Sequence, residues 1–393
     1  MDYDLAIAGG GLAGSALGFA LVRSGFRVLI VEREPAFRDR VRGEGMLPWG
    51  AGEARALGLL DALTERCALP VQWFTTPGSN RDLAATSPSG LGCLNFYHPD
   101  MQQCLLDLAV SAGAELTRPA EAIQVVPGDP PRLILREGDT ERRVTARLVV
   151  GADGRNSRIR AAAGFALSKD PDRMVVAGTL YRGLAIPEDA IQMVLNPMVQ
   201  RISIIFPLGG GRFRAYAGFR DDSGRPLRGA EDQAAFVTAS VRAGSPPEWF
   251  AGATPDGLLA SFAAPDTWAA HPYRDGVVLI GDAAAASDPV FGCGLSLTLR
   301  DVRVLRDALL ATSDWRGAAN TYAAEHDRYF AALHRTHSLW RTLFFDVGEP
   351  ADARRARALP KIAEDETRMP DFIGLGPDAP NDAAAERRFF GEG

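Results

Sequence analysis

Residues 3–34 read YDLAIAGGGLAGSALGFALVRSGFRVLIVERE, and this stretch decides the fold of the chain. The apolar run at 5–8 is typical of a buried parallel strand, and a second apolar strand at 27–31 leads into Glu32. Between them lies a stretch of helical length that opens on a Gly-x-Gly-x-x-Gly turn, at Gly9, Gly11 and Gly14. In such a βαβ unit the turn brings backbone N–H groups to a pyrophosphate, and the acid accepts hydrogen bonds from a ribose. The stretch predicts a dinucleotide site, for either NAD or FAD.

Two more apolar strands end in small-residue turns, and each of these turns carries an aspartate. The segment RLVVGADGRNSRIR (147–160) places Asp153 after a strand, and LIGDAAAASDPVFGCG (279–294) places Asp282 after another. Because a buried carboxylate is costly unless it is hydrogen-bonded, sugar or polyol hydroxyls are natural partners for these acids.

The three motifs together resemble the FAD-dependent class A aromatic monooxygenases, the para-hydroxybenzoate hydroxylase-like flavoproteins. The resemblance spans residues 3 to about 310. It implies an α/β fold, in which a Rossmann-like FAD-binding domain carries an inserted, mainly antiparallel β-sheet substrate lobe and C-terminal helices. The implied divisions are an FAD-binding domain over 1–69, 98–170 and 266–310, a substrate lobe over 70–97 and 171–265, and C-terminal helices and a tail over 311–393.

The resemblance also implies which residues contact the cofactor. Asp282 would bind the ribityl chain of FAD, and a helix starting near Gly294 would direct its positive end toward the flavin. Arg42 matches an arginine that reaches the FAD phosphates, while His98 and Gln102 lie where the family often has a cofactor-contacting Arg or Gln. The predicted cofactor residues are Gly9, Gly11, Gly14, Glu32, Arg33, Arg42, Gln102, Asp153, Gly154, Gly281, Asp282, Pro289, Gly292, Gly294 and Leu295.

The turn at Asp153 is linked in the family to both FAD and NAD(P)H. Arg155, Arg158 and Arg160 are therefore candidates for cofactor phosphates, and the arginine density favours NADPH. Two positions depart from the family. Ala285 stands where the family usually has His, and Ser296 stands where an Asn is common.

The segments without a cofactor motif predict the substrate pocket. RISIIFPLGGGRFRAYAGFR (201–220) reads as a hairpin with a triple-glycine turn, and its second strand has one apolar face. In the family such a sheet roofs the pocket over the flavin. The candidate substrate contacts are Trp73, Tyr181, Arg214, Tyr216 and Trp268. The sequence identifies no catalytic residue, and the candidates for an acid–base role are His271, Tyr216 and Arg214.

The C-terminal part is predicted from its local pattern. Residues 296–345 read as helical, and the final segment DAPNDAAAERRFFGEG reads as a polar tail.

The implied function is hydroxylation of an aromatic or polycyclic small molecule through a flavin C4a-hydroperoxide, with NAD(P)H as reductant and dioxygen as co-substrate. A partner reductase stays open. So do two alternative functions: a flavin-dependent reductase of the isoprenoid-saturating type, whose Cys-Gly-Gly stretch corresponds to Arg42-Gly-Glu-Gly45, and a non-catalytic flavin-binding redox sensor. A flavin halogenase is disfavoured because no lysine precedes Lys169 and no Trp-x-Trp-x-Ile-Pro segment occurs.

Composition excludes several other classes. The 393-residue chain has a formal net charge of −6, which argues against a nucleic-acid partner. It has no apolar run of membrane-spanning length, and MDYDLAIAGG carries acids where a signal peptide carries positive charge. Four cysteines without Cys-x-x-Cys spacing and five histidines without His-Glu-x-x-His predict no metal site and a reduced, cytoplasmic setting.

Overall fold

The structure is a computed structural model that describes residues 1–41, 43–171, 174–220, 225–263 and 265–392. Arg42, which the sequence assigned to the FAD phosphates, lies outside the described residues. Among the described residues, no helix is both long enough and apolar enough to cross a membrane.

The strands are β1 (Tyr3–Ala8), β2 (Val28–Val31), β3 (Gly45–Met46), β4 (Ala68–Val71), β5 (Trp73–Thr76), β6 (Ser79–Asp82), β7 (Cys93–Phe96), β8 (Glu115–Thr117), β9 (Glu121–Val126), β10 (Arg132–Glu137), β11 (Thr140–Gly151), β12 (Ser168–Lys169), β13 (Met174–Arg182), β14 (Ala190–Asn196), β15 (Arg201–Gly209), β16 (Arg212–Arg220), β17 (Thr254–Pro255), β18 (Ala260–Ala263), β19 (Thr267–Trp268), β20 (Tyr273–Arg274), β21 (Val277–Leu279) and β22 (Ala285–Ala286).

The α-helices are α1 (Leu12–Val22), α2 (Pro48–Ala56), α3 (Leu60–Arg66), α4 (Leu83–Thr86), α5 (His98–Ser111), α6 (Arg158–Ala162), α7 (Gln233–Ala243), α8 (Gly294–Ala311), α9 (Trp315–Phe344), α10 (Glu349–Glu364) and α11 (Ala383–Phe389). Short 3-10 turns lie at Ala230–Asp232, Pro247–Phe250, Gly281–Ala283, Pro289–Phe291, Glu366–Arg368 and Gly376–Asp378.

The first sheet is built around parallel strands in the order β8, β2, β1, β11 and β21, with β20 antiparallel at the edge. Ala8 pairs with Gly151, and Gly151 pairs with Leu279, so the ends of three strands are level. Because parallel strands end at the same edge of a sheet, the turns that follow β1, β11 and β21 meet there.

Helix α1 follows the first glycine turn and is almost completely buried. Its sequence LAGSALGFALV is apolar on all sides, and ten of its eleven residues are buried. It packs on the first sheet and against α5 and α8. Gly18 is needed for this approach, because a Cβ there would lie 2.8 Å from Cδ1 of Ile30.

The second sheet is mainly antiparallel, in the order β17, β13, β16, β15, β14, β5 and β6, with β18 on β13. The predicted hairpin is confirmed as β15 and β16, which are joined at Gly210 and Gly211. Side chains alternate between the two faces of a strand. Phe213, Ala215, Ala217 and Phe219 form the apolar face of β16, and they belong to a buried cluster with Phe236 of α7.

The C-terminal segment corrects the prediction of a polar tail. Helices α8 and α9 confirm the helical pattern, and residues 383–389 form a further helix, α11. Phe389 is fully buried and packs on Trp340 and Phe344 of α9. The sequence prediction missed the role of Phe389 and Phe390 because they stand among charged residues.

Candidate cofactor site

A cavity of about 340 Å³ begins at the turns that end the parallel strands and extends to the inner face of the second sheet. Its lining changes along its length. The first end is polar and carries Glu32, Asp153 and Asp282, whereas the far end is apolar. The apolar lining residues are Val176, Ile202, Ile204, Phe206 and Phe262.

The first glycine turn supports Glu32 through backbone hydrogen bonds. The N–H groups of Gly10 and Glu34 each donate to the Glu32 carboxylate, at 2.7 Å and 2.7 Å. Glu32 is buried and lines the polar end of the cavity. Helix α1 has no side-chain cap and no acid in its first turn, so its N-terminal N–H groups favour an anionic group. Gln102 of α5 lies beside Gly11, where a Cβ would be 3.2 Å from its Nε2.

Asp153 at the second turn lines the cavity, but its carboxylate also has a local structural role. It accepts hydrogen bonds from the backbone N–H groups of Arg158 and Ile159, at 2.7 Å and 3.2 Å, and from the hydroxyl of Ser157. It therefore caps α6. This local use of the carboxylate was not anticipated from the motif.

The third turn places Asp282 at the cavity, with its side chain 36% exposed. Asp301, a buried residue of α8, accepts a 2.7 Å hydrogen bond from the N–H of Gly281 and a second one from the hydroxyl of Tyr329. Tyr322 donates to the carbonyl of Leu279 at 2.8 Å. Sequence reasoning missed these supports, because they depend on how α8 and α9 pack against the turn.

The loop after the third turn presents backbone to the cavity. Pro289, Gly292, Gly294 and Leu295 all line it, and α8 begins at Gly294 as predicted. The departure at Ser296 has a structural reason: its hydroxyl accepts a 3.0 Å hydrogen bond from the N–H of Leu47 and so attaches α8 to the start of α2.

Asp288 holds the start of this loop and belongs to a buried charged cluster. Its Oδ1 accepts from the N–H of Val290, and its own N–H donates to Asp266 at 2.7 Å. Arg341 of α9 donates to Asp266 at 2.9 Å and to Asp170 at 3.0 Å. Burial, followed by the charge of Asp266, raises the pKa of Asp288 to about 7.

A buried polar network lies in the otherwise apolar far end. The hydroxyl of Tyr216 donates to Glu44, whose other oxygen accepts from Nε of Arg214 at 3.0 Å. Nη2 of Arg214 donates to both oxygens of Asp39, at 2.7 Å and 2.7 Å. Tyr216 and Glu44 line the cavity. Burial raises the pKa of Glu44 and raises that of Tyr216 well above its usual value.

Gly178 leaves room for this network. It pairs with Tyr216 across β13 and β16, and a Cβ at this position would overlap the Tyr216 ring. In the sequence, Glu44 serves only to keep the isoprenoid-reductase alternative open, as part of the stretch Arg42-Gly-Glu-Gly45. Its partnership with Tyr216 needs the strand pairing and could not be read from local sequence.

Four residues that the sequence predicts to contact substrate or to act in catalysis lie outside the cavity lining, and three of them are substrate candidates. Tyr181 is on the opposite face of the second sheet, where it packs on Phe236 and donates to Gln233 at 3.0 Å. Trp73 is on β5, which β14 separates from the lining strands. Trp268 contacts the rings of Phe330 and His334 on α9.

His271, the fourth predicted residue outside the cavity lining, is the acid–base candidate. It is exposed at the start of a loop, where Asn320 lies 3.0 Å from its Nε2 and its backbone N–H donates to Asp327. Arg214 differs from these four, because it reaches the cavity only through Glu44.

The arginines near the polar end divide into two groups. Arg33, Arg155 and Arg158 line the cavity together with Arg38 and Arg40. Arg160 is instead buried and donates to the carbonyls of Ala283 and Arg155, at 3.0 Å and 2.7 Å, so it braces the second and third turns against each other. His98 also lines the cavity, and the carbonyl of Gly43 lies 2.9 Å from its Nδ1.

Comparison with known proteins identifies the class. A family model described as FAD binding domain matches residues 2–335. Rifampicin monooxygenase of Streptomyces venezuelae is 30% identical over 91% of this chain and 75% of that protein. 6-methylpretetramide 4-monooxygenase of Streptomyces rimosus is 29% identical over 76% and 73%. Digeranylgeranylglycerophospholipid reductase 2 of Methanopyrus kandleri is 28% identical over 76% and 74%.

The fold comparison agrees with the predicted fold class. The crystal structure of p-nitrophenol 4-monooxygenase from Pseudomonas putida superposes with a TM-score of 0.78 at 20% identity, and the match covers 96% of this chain and 98% of that one. The chain belongs to the FAD-binding-domain family of para-hydroxybenzoate hydroxylase-like class A flavoproteins. It is an FAD-dependent enzyme of the monooxygenase class, for which NAD(P)H is the typical reductant.

The support of the third turn by Asp301 can be tested by substitution. We expect Asp301→Ala to lower the free energy of unfolding by on the order of 3 kcal/mol, because it leaves two buried donors without an acceptor. Asp307→Ala is the matched control on the same helix, and its exposed ion pairs are worth roughly 0–1 kcal/mol. Urea denaturation of both variants measures the difference. Equal stability of Asp301→Ala and wild type would contradict the assigned role.

The raised pKa of Asp288 predicts a pH dependence of stability. In the unfolded chain this carboxyl ionises near its ordinary pKa of 3.8, whereas burial and the charge of Asp266 raise its pKa to about 7 in the folded chain. Its stabilising contribution is therefore complete below about pH 4 and is lost as the pH rises toward 7. We expect the difference in unfolding free energy between wild type and Asp288→Asn to shrink or reverse between pH 4.5 and 7.5, by on the order of a few kcal/mol. Urea denaturation across this range tests it, and parallel curves for the two proteins would contradict it.

Proposed function

We propose that this chain hydroxylates a small phenol or fused-ring aromatic compound, with FAD in the cavity and NAD(P)H as reductant. The observation that carries the proposal is that one cavity joins a polar nucleotide-type end to an apolar end at which Tyr216 donates a hydrogen bond to Glu44. The names of the relatives support an aromatic or polycyclic substrate and oxygen transfer.

The polar end fits FAD in its donors and acceptors. Glu32 and Asp282 offer carboxylate oxygens to ribose and ribityl hydroxyls, and the N-terminus of α1 offers N–H groups to the pyrophosphate. Arg155 and Ser287 line this cavity. Nε of Arg155 lies 3.9 Å from Oδ2 of Asp282, and Oγ of Ser287 is buried with no hydrogen-bond partner among the described residues. Buried polar atoms are rarely left unpaired, so Ser287 favours a polar ligand.

The loop before α8 offers a backbone surface for the flavin ring. Space is open around Gly292, whose φ of +66° suits glycine, so the backbone can approach a planar ring closely. The N-terminus of α8 would stabilise negative charge there. When bound and reduced by NAD(P)H, FAD supplies activated dioxygen, from which one oxygen atom is transferred to an electron-rich ring.

The apolar end of the cavity supplies the side chains that would surround the substrate ring. Ile202, Ile204 and Phe206 lie on β15, Val176 lies on β13, and Phe262 lies on β18 of the same sheet. These side chains exclude water and restrict the ring to a few orientations, which is the main contribution a protein makes to such a reaction. Phe206 and Tyr216 meet edge to face, with their ring centroids 6.1 Å apart.

Glu44 and Tyr216 provide the polar contact for a substrate hydroxyl. Their shared hydrogen bond is buried, and Arg214 holds Glu44 in place from behind. A phenol at this position would donate its proton toward Tyr216 Oη or Glu44 Oε2, which makes the ring more electron-rich. Burial raises the pKa of Glu44, the positive charge of Arg214 opposes this rise, and the negative charge of Asp39 adds to it.

The reductase alternative rests on a specific observation, the 28% identity to a digeranylgeranylglycerophospholipid reductase. The two functions differ in their products. A hydroxylase product is heavier than its substrate by one oxygen atom, whereas a reductase product is heavier by two hydrogen atoms.

The test is NAD(P)H oxidation by the FAD-loaded protein, with and without phenols, naphthols, quinones and polyprenyl compounds, with product masses read in parallel. We expect phenols or fused-ring phenols to stimulate oxidation and to gain one oxygen atom. A mass gain of two hydrogens with a polyprenyl compound would replace the proposal with the reductase. Flavin reduction that requires an added reductase would retain the hydroxylase but move the reducing step to a partner.

The Tyr216 hydroxyl gives this test a second readout. We expect Tyr216→Phe to lower turnover of a phenolic substrate at least about tenfold while FAD content stays at the wild-type level, because a positioned proton acceptor contributes roughly 100-fold or more. Tyr181→Phe is the matched control from the opposite face of the same sheet and should leave turnover unchanged. Equal turnover of the two variants would contradict the assigned role of Tyr216.

A further inference from the structure

One aromatic ring bounds the apolar end of the cavity along β15. Phe206 is the last cavity-lining residue of this strand, since none of the strand residues that follow it belongs to the lining. Its ring meets the Tyr216 ring edge to face, with the centroids 6.1 Å apart. Aromatic rings at this separation are in contact, so no third ring fits between them. A compound that reaches the Tyr216 hydroxyl therefore has Phe206 as a neighbour.

The Phe206 ring rests directly on the backbone of Gly45. A Cβ at Gly45 would lie 2.6 Å from Cε1 of Phe206 and 3.1 Å from its Cδ1, so glycine is the residue that leaves room for the ring in this position. Gly45 begins β3 and lines the cavity. Glycine in a strand often marks a place where a ligand or another part of the chain approaches the backbone closely. At Gly45 the approaching group is the Phe206 ring.

This contact places Phe206 beside the hydrogen bond between Tyr216 and Glu44. Glu44 precedes Gly45 in the chain, and its carboxylate accepts from the Tyr216 hydroxyl. Phe206 therefore contacts the Tyr216 ring on one side and the residue next to Glu44 on the other. A substrate hydroxyl bound by Tyr216 and Glu44 would lie close to the Phe206 ring.

Hydrogen bonds fix the spacing between the two sides of this contact. Gly45 pairs with Asn95 of β7, and the buried side chain of Asn95 donates to the carbonyl of Pro207 at 3.0 Å. Strand β15 is thus attached to β7 one residue after Phe206. The ring also belongs to a buried apolar cluster that includes Leu47. Because protein interiors are close-packed, a ring displaced from Gly45 moves toward the cavity.

We propose that Phe206, seated on Gly45, excludes bulky groups beside the hydroxyl of an aromatic substrate. The inference rests on the proposed function, because it takes the substrate hydroxyl to bind at Tyr216 and Glu44. A phenol has two ring carbons beside the one that carries the hydroxyl, the ortho carbons, and it can turn over to face Phe206 with either of them. The substrate class is therefore phenols with at least one unsubstituted ortho carbon, and phenols substituted at both are selected against.

Two isomers of one phenol test this selection. 2,6-dimethylphenol carries a methyl group on each ortho carbon, and 3,5-dimethylphenol carries the same two groups further from the hydroxyl. Their dissociation constants are measured by equilibrium dialysis with the FAD-loaded full chain in its oxidised state, so that no turnover is needed. We expect the 2,6 isomer to bind wild type at least about tenfold more weakly, since one extra methylene-sized group in an apolar pocket changes binding by at least roughly that factor.

Variants on the two sides of the contact should act in opposite directions. Phe206→Ala removes the ring and should lower the ratio of the two dissociation constants at least about fivefold, with Phe206→Leu between it and wild type. Gly45→Ala places a Cβ against the ring and should raise the ratio, because the ring is displaced toward the cavity. A general loss of packing would not move the ratio in both directions.

Phe213→Leu is the matched control for Phe206→Leu. Phe213 lies on β16, on the opposite face of the same sheet, in the cluster that contains Phe236 of α7. The control should leave the ratio unchanged, and circular dichroism and FAD content show that each variant is folded and loaded. If Phe206→Ala does not fold, Phe206→Leu and Gly45→Ala carry the test.

Three results would overturn the inference. Equal dissociation constants of the two isomers for wild type would do so, as would a ratio that the Phe206 variants leave unchanged or that Phe213→Leu lowers as much as Phe206→Leu does. Binding of neither isomer by wild type would do so as well, since the space beside Phe206 would then receive no phenol. The product-mass test with the wider panel decides the proposed function separately, because it needs no preference between these isomers.

Discussion

Parallel pairing of β1 with β11 and of β11 with β21 is the constraint on which the rest of the site depends. It brings three turns that are about 140 and 130 residues apart in sequence to one edge of a sheet, because their strands end level with one another. This explains why Asp282 is followed in the sequence by four alanines. A backbone that must approach a ligand closely has no room for large side chains, while one carboxylate at the turn supplies the polar contact.

The edge is held by groups that never reach the cavity. Asp301 and Tyr322 fasten the third turn from α8 and α9, Arg160 connects the second turn to the third, and the cluster of Arg341 with Asp266 and Asp288 secures the loop before α8. Each of these contacts gives a buried polar group a hydrogen-bond partner. Removal of one partner would leave the other buried and unpaired, which costs free energy of folding. The long helix α9 therefore contributes to the cofactor site although it carries no residue in the lining.

The second sheet depends on a different constraint, the alternation of side chains along a strand. Because β13 pairs with β16 in one register, Tyr181 must share a face with Phe213, and Tyr216 must share the other face with Val176. The face that looks apolar in the sequence is therefore covered by α7, and the face that carries Arg214 and Tyr216 looks toward the cavity. Hydrogen bonds join Tyr216 to Glu44, Glu44 to Arg214 and Arg214 to Asp39, and these bonds offset much of the cost of placing polar groups in an apolar end.

The motifs that depend on local backbone geometry could be predicted from the sequence. The three turns, the start of α8 at Gly294 and the hairpin at Gly209 to Gly211 each carry their own signal in glycine, proline or hydrophobic period. The contacts that depend on strand register or on distant helices could not, which is why Trp73, Tyr181, Trp268 and His271 were placed in or near the pocket and Glu44 was not. Burial of Phe389 and Phe390 could not be predicted for a related reason. Two adjacent aromatic residues among charged ones give no hydrophobic periodicity, and their burial depends on packing against α9.

The most direct measurement is the dissociation constant of FAD for Asp282→Ala, with Asp282→Asn beside it. If the three turns form the flavin site, the alanine variant binds FAD at least about tenfold more weakly, because one charge-assisted hydrogen bond is worth roughly 1.5–3 kcal/mol. The asparagine variant should fall between the alanine variant and wild type, and the apoproteins should unfold at the same temperature. An alanine variant that binds FAD as tightly as wild type would contradict the placement of the flavin at this edge of the sheet.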